Sequence, residues 1–204
     1  MTSLNNPHLA APAQVFGCPT QHASLAAILV HGRGQSPAWM HDAVVRRLAR
    51  DDIAWLAPAA ADQSWYPERF IAPLEANEPR LTDALECLDA LSGALREQGF
   101  PYARQVLVGF SQGACLASEF VWRMGRRYGG LIAFTGGLIG PPGIARDTAH
   151  RNLGEMPVLL SSWDEDPYVP AAICAVVFER LFRWHDALLP CARCRLRAVF
   201  TPRA

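Results

Sequence analysis

The chain of 204 residues contains no lysine: its 19 basic residues are all arginine, balanced by 19 acidic ones. Net charge is therefore zero with the six histidines neutral. Such a balance leaves no footprint for a nucleic-acid backbone or an anionic membrane surface, both of which are met by clustered positive charge. The missing lysine, beside abundant alanine, points to a GC-rich coding bias, although arginine in its place also suits phosphate recognition. An unbroken apolar span is lacking too. The uncharged stretch Tyr128 to Ala145 is interrupted by six glycines and two prolines, which argues against a membrane-crossing helix. Residues 1–17 have neither a basic start nor a 7–15-residue apolar run, the marks of a secretory signal, so the expected address is the cytoplasm. Six cysteines (Cys18, Cys87, Cys115, Cys174, Cys191, Cys194) are too scattered to form a staple framework, and they read as mostly buried thiols in a reducing compartment. With 50% hydrophobic and 19% charged residues, the composition is that of a compact globule and not of a disordered chain. The length fits a single domain over 1–204.

What the chain does contain is an alternation. Leu25–Val30 is a short continuous apolar run ending in His31-Gly-Arg-Gly34, as a buried strand entering a loop would read. Residues 38–50 carry apolar positions at helical spacing behind Ser36 and Pro37, and Ile53–Ala57 reads as a second strand. Leu81, Leu85, Leu88, Leu91 and Leu95 form the apolar stripe of an amphipathic helix closed by Gly99 and Pro101. A strand at 105–109, a helix at 112–128, and strands at 131–134 and 157–161 continue the pattern. Strands alternating with helices of this length imply crossover connections, hence an α/β sandwich of three layers around a mainly parallel sheet.

The sharpest chemical signal is Gly109-Phe-Ser-Gln-Gly113, placed where a strand gives way to a helix. A tight strand-to-helix turn lifts its central side chain into the open. Small residues two before and two after let neighbouring backbone pass. Ser111 is thus a candidate nucleophile, and the N-terminus of the next helix supplies unpaired N–H groups beside any oxygen that becomes negative during acyl transfer. The backbone N–H groups of Gln112 and of Arg33, in the loop after the first buried strand, are the candidate oxyanion donors. His31, in the same loop, reads as a shaping residue and not a base.

Four segments carry a resemblance: Leu29-Val-His-Gly-Arg-Gly34, Gly109-Phe-Ser-Gln-Gly-Ala114, Gly136-Gly-Leu-Ile-Gly140 and Asp164-Glu-Asp-Pro-Tyr-Val-Pro170. Together they resemble the phospholipase/carboxylesterase family of α/β-hydrolases, over about residues 25–170. The resemblance implies an α/β-hydrolase fold, a Ser, Asp, His triad in chain order, no cofactor, and esters or acyl thioesters as substrates. Carried over by position, Ser111 matches the nucleophile and Asp166, before Pro167, matches the triad aspartate. Asp164 is its close competitor, and a solvated helix cap is the plainer reading of either acid. An aromatic segment, Gln63-Ser-Trp-Tyr-Pro67 with Phe70, could wall an acyl pocket, which makes Trp65 a candidate substrate contact; ordinary core packing is the alternative. Without a basic cluster for a phosphate or CoA group, the expected partner is a small, uncharged or weakly charged ester with a short acyl chain.

The base is the missing piece. The family's histidine follows the last strand, further along than any histidine here: His185 is the final one, on Phe182-Arg-Trp-His185, which continues a helix from about Ala171 and is poorly placed to reach Ser111. Residues 187–204 hold no acid, four arginines and Cys191-Ala-Arg-Cys194, and the family's closing helix is not found there. The C-terminal end of the fold is therefore expected to be incomplete or altered, by truncation or by a change of reading frame after about Arg180; the shift in composition favours the second. The C-x-x-C has no second pair for zinc and no βαβ setting for redox chemistry. A non-catalytic hydrolase-like binding protein and a hydrolase of thioesters or amides stay open, whereas a dienelactone-hydrolase-like reading would require cysteine at 111.

Overall fold

The structure, a computed structural model, describes residues 5–146, 153 and 156–162, and the backbone of 196–199. Seven strands form one sheet: β1 (Gln14–Gly17), β2 (Leu25–Val30), β3 (Ile53–Ala57), β4 (Gln105–Phe110), β5 (Gly130–Phe134), β6 (Val158–Ser162) and β7 (Leu196–Val199), in the order β1-β3-β2-β4-β5-β6-β7. The five inner strands are parallel. Both edges, β1 on β3 and β7 on β6, are antiparallel.

Strand β2 shows why a continuous apolar run belongs at the centre of such a sheet. Ala26, Ile28 and Val30 join the larger core, beneath α3 (Arg80–Glu97) and α4 (Gln112–Met124), while Ala27 and Leu29 face the smaller core on the other side. Period-two alternation therefore buries every residue of the strand after the half-buried Leu25, with no polar face left to show. In α3 the stripe Leu81, Leu85, Leu88 and Leu95 is buried as its spacing predicts. Helix α4 stops earlier than the expected 128, because Gly125 takes φ 60° and closes it with an N–H bond to Val121 O at 3.2 Å.

The smaller core is covered by a helical segment that is not a plain α-helix. α1 (Pro37–Met40), capped by Ser36 Oγ accepting the Trp39 N–H, widens into a π-turn over His41–Val45 before α2 (Arg46–Leu48). The wider turn brings residues five apart, Met40 and Val45, onto the buried side. Among the described residues no helix is long and apolar enough to cross a membrane.

Candidate active site

Strands β2 and β4 run side by side with Val30 opposite Gly109, so the segments that leave them, the 31–34 loop and the Ser111–Gln112 turn into α4, start at the same sheet edge. Register brings them together. Ser111, one residue beyond β4, has φ 52° and ψ −119°, a conformation costly for a residue with a Cβ. It is held there from both sides: its N–H donates to Phe134 O at 2.9 Å, and its carbonyl accepts from Cys115 N–H at 3.0 Å. The flanking glycines are a steric necessity. A Cβ on Gly109 would stand 2.5 Å from Ala114 Cα, and one on Gly113 would stand 2.1 Å from Val30 O. Only chain without side chains at these two points lets the helix start so close to the strands.

Ser111 precedes the first turn of α4, where the N–H groups have no partner within the helix. Among the described residues, neither the Gln112 nor the Arg33 N–H makes a hydrogen bond. The two expected oxyanion donors thus stand unpaired on adjacent loops. Their side chains are engaged elsewhere: Gln112 Oε1 accepts the Trp65 N–H at 3.1 Å, and Arg33 Nη1 donates to Pro67 O at 2.7 Å.

The histidines nearest this edge are structural. His31 is buried, with Nε2 accepting the Ala60 N–H at 3.0 Å; this leaves Nδ1 as the donor, to Gly32 O at 2.8 Å. Burial lowers its pKa. His8, which carries no recognisable sequence signal, is also buried: Nδ1 accepts the Ala61 N–H at 3.0 Å and Nε2 bonds Trp65 O at 3.1 Å. Burial, and then the Arg80 charge, bring its pKa down to about 4. Both rings lie about 5 Å from that of Trp65. Trp65 itself is fully buried with its indole N–H on His31 O at 2.8 Å, and Tyr66 and Phe70 are buried too. In the described residues this aromatic segment packs under the 31–34 loop. Among the described residues an apolar groove of about 340 Å³ opens between Trp39, Val44 and Leu48 and the strand ends at Phe110 and Phe134.

Strand β6 runs parallel to β5, with Ser161 opposite Phe134, so the chain leaves β6 at the edge that carries Ser111. Asp164, Asp166 and His185 follow and lie outside the described residues. So do Cys174, Cys191 and Cys194; of the others, Cys87 and Cys115 are buried and Cys18 is half-buried. Burial pushes the Cys87 thiol up to about 12, which makes it inert as a nucleophile.

A family model described as phospholipase/carboxylesterase matches residues 12–185. The chain belongs to that family of α/β-hydrolases. A crystal structure of a phospholipase/carboxylesterase from Dyadobacter fermentans DSM 18053 is 35% identical, with a TM-score of 0.76 over 84% of this chain and 83% of that one. Esterase PE8 is 25% identical, with a TM-score of 0.67 over 83% of this chain and 82% of that one. A carboxylesterase from Mesorhizobium loti, at 16% identity and a TM-score of 0.61 over 84% and 81% of the two chains, shares the fold. No curated protein matches the sequence closely enough to count as a relative. Membership in the phospholipase/carboxylesterase family makes this an esterase-type α/β-hydrolase chain.

Proposed function

We propose that the chain hydrolyses small carboxylic esters through an acyl-enzyme, with Ser111 as nucleophile and the N–H groups of Arg33 and Gln112 as oxyanion donors. Asp166 is the carboxylate that orients a base. Ser111 Oγ attacks the ester carbonyl carbon, the carbonyl oxygen takes the negative charge between the two donors, and the alcohol leaves with a proton. Water then releases the acid by the same route. One observation carries this reading: Ser111 sits at φ 52° between glycines that cannot bear a Cβ, beside two unpaired N–H groups. Such strain persists only where surrounding contacts enforce it, and it is most often found at reacting groups.

The sequence offers no histidine beyond His185 to complete the triad. Removing one triad member lowers turnover by roughly 10⁴–10⁶, while the oxyanion site and binding retain roughly 10³–10⁴ over water. A chain without a competent base would therefore keep only residual hydrolysis. The scattered spacing of the six cysteines suits a reducing compartment, the cytoplasm in this proposal. A fluorophosphonate probe tests the nucleophile: the wild type is labelled at Ser111 and Ser111→Ala is not. Turnover of p-nitrophenyl esters at roughly 1–10³ s⁻¹, abolished by Ser111→Ala, would show that a competent base is present after all. Acyl thioesters run in parallel decide between ester and thioester substrates. A second reading, a hydrolase-like binding protein, is the one that a chain taking no label would support.

A further inference from the structure

The two oxyanion donors sit at the ends of different strands, yet their side chains converge on one short segment. Arg33 Nη1 donates to Pro67 O at 2.7 Å, and its Nη2 donates to Tyr66 O at 3.0 Å and to Glu68 O at 2.8 Å. Gln112 takes the same segment from the other side: Oε1 accepts the Trp65 N–H at 3.1 Å, while Nε2 donates to Tyr66 O at 2.7 Å and to Ser64 Oγ at 3.3 Å. Tyr66 O is thus shared by both. Next to Arg33, the Gly34 N–H donates to Gln63 O at 2.8 Å.

The segment is in turn fixed from behind. Arg80 Nη2 donates to Ala61 O at 2.9 Å and Ser64 O at 3.0 Å, and the fully buried Asn77 accepts the Glu68 N–H at 2.8 Å. His8 grips Ala61 N–H and Trp65 O. Asp62 and Gln63, at φ 53° and 56°, are consecutive non-glycine residues in the left-handed region. Two strained residues in a row stay in place only where the surroundings over-determine them.

We propose that Ser64–Glu68 is a brace that sets the spacing and aim of the Arg33 and Gln112 N–H groups, making those two side chains positioning elements for the anion that their own backbones bind. The proposal rests on the reading of Ser111 as nucleophile. Its physical basis is that a donor stabilises a developing oxyanion only when held at hydrogen-bond distance before the charge appears. A misplacement of about 1 Å is worth up to about 10² in rate. Among the described residues neither donor N–H bonds the other segment, so the common anchor adds to the β2–β4 register in fixing one N–H relative to the other. The fork of a guanidinium can hold three carbonyls at once, which the single ammonium of a lysine does in poorer geometry.

The full chain is tested as wild type, Arg33→Met, Gln112→Met, the double variant, and the milder Arg33→Lys and Gln112→Asn, which keep the charge or the amide should a methionine variant not fold. Two readouts are taken on folded protein: the rate of Ser111 phosphonylation by a fluorophosphonate, and amide hydrogen exchange across 31–35 and 63–68. A brace predicts single-variant rates reduced about 10–10²-fold, a double variant scarcely slower than the worse single, and exchange that rises across the gap, at 31–35 when Gln112 is changed. Folded variants phosphonylated at the wild-type rate overturn the proposal, as does exchange raised only in the altered residue's own loop. A wild type that takes no label removes the nucleophile reading instead, and the cross-loop exchange then decides the brace alone.

Discussion

Gly113 and Gly34 lie at the same edge and illustrate two different reasons for glycine. A Cβ on Gly113 would meet Val30 O at 2.1 Å and His31 O at 2.4 Å, both main-chain atoms in a sheet that cannot give way. A Cβ on Gly34 would meet nothing within 4 Å, and only its φ of +71° resists substitution. Gly113→Ala is therefore expected to lose more than about 4 kcal/mol or to show no cooperative urea transition, whereas Gly34→Ala loses about 1–2 kcal/mol. Equal losses would mean that the clash at Gly113 is relieved by a movement the packing does not show. The contrast also explains what a sequence can reveal at this scale. Gly109, Ser111 and Gly113 are readable because steric necessity is tied to fixed spacing along the chain. Trp65 is not, since its choice between lining a pocket and packing under a loop is made by His8 and His31, far away in sequence. His8 leaves no trace at all, because its partners Ala61 and Trp65 are brought to it by the fold.

Helix α4 does more than present its first turn to Ser111. Buried in its middle, Glu119 accepts Arg123 Nε at 2.7 Å, Arg146 Nη1 at 3.1 Å and the Ile139 N–H at 3.0 Å. One carboxylate thus ties the helix to the loop that follows β5, which packs so closely that a Cβ on Gly136 would stand 2.5 Å from Ala114 Cβ. Replacing Glu119 by Gln leaves Arg146, itself largely buried, without its counter-charge; breaking a buried pair in this way is expected to cost about 3–5 kcal/mol. Urea denaturation measures it, and a loss below about 1 kcal/mol would place the pair in effective contact with water. Glu119→Gln combined with Arg146→Met should recover part of the loss, since the more buried arginine charge is then gone and only the more exposed Arg123 is left unpaired. At this scale the inner strands are legible almost to the residue: β2 and β3 occupy 25–30 and 53–57 as read, because strands buried on both faces must be apolar throughout. The edge strand β1 is not, for its four residues are mostly exposed and carry no alternation to detect. The π-turn at 41–45 escapes for a related reason, since the apolar spacing of 38–50 is equally good for an unbroken α-helix.

The whole molecule is organised around a sheet that runs without a gap from β1 to β7, the basis for proposing one domain that unfolds as one unit. Its stability should carry the signature of the two histidines packed around Trp65. His8, with a pKa of about 4, and His31, also lowered, are neutral in the folded chain, whereas an unfolded chain returns them to about 6.5. Above pH 6.5 both states are unprotonated and these groups add no pH dependence. As pH falls below 6.5 the unfolded state takes up protons that the folded state refuses, so stability declines. For His8 the decline ends near pH 4, where the folded form binds its proton as well. The span corresponds to about 3 kcal/mol at most for His8. Asparagine at this position keeps an acceptor for the Ala61 N–H but cannot titrate. His8→Asn should therefore be less stable than wild type at pH 8, through the lost contact with Trp65 O, yet should lose less on going from pH 6.5 to 5. The gap between the two stability curves, followed by urea denaturation, is expected to narrow over that interval. Carboxylates that titrate lower down are common to both proteins and cancel in the difference. Parallel curves would mean that His8 reaches water readily enough to be protonated in the folded chain, and its place between Ala61 and Trp65 would have to be looser than the hydrogen bonds show.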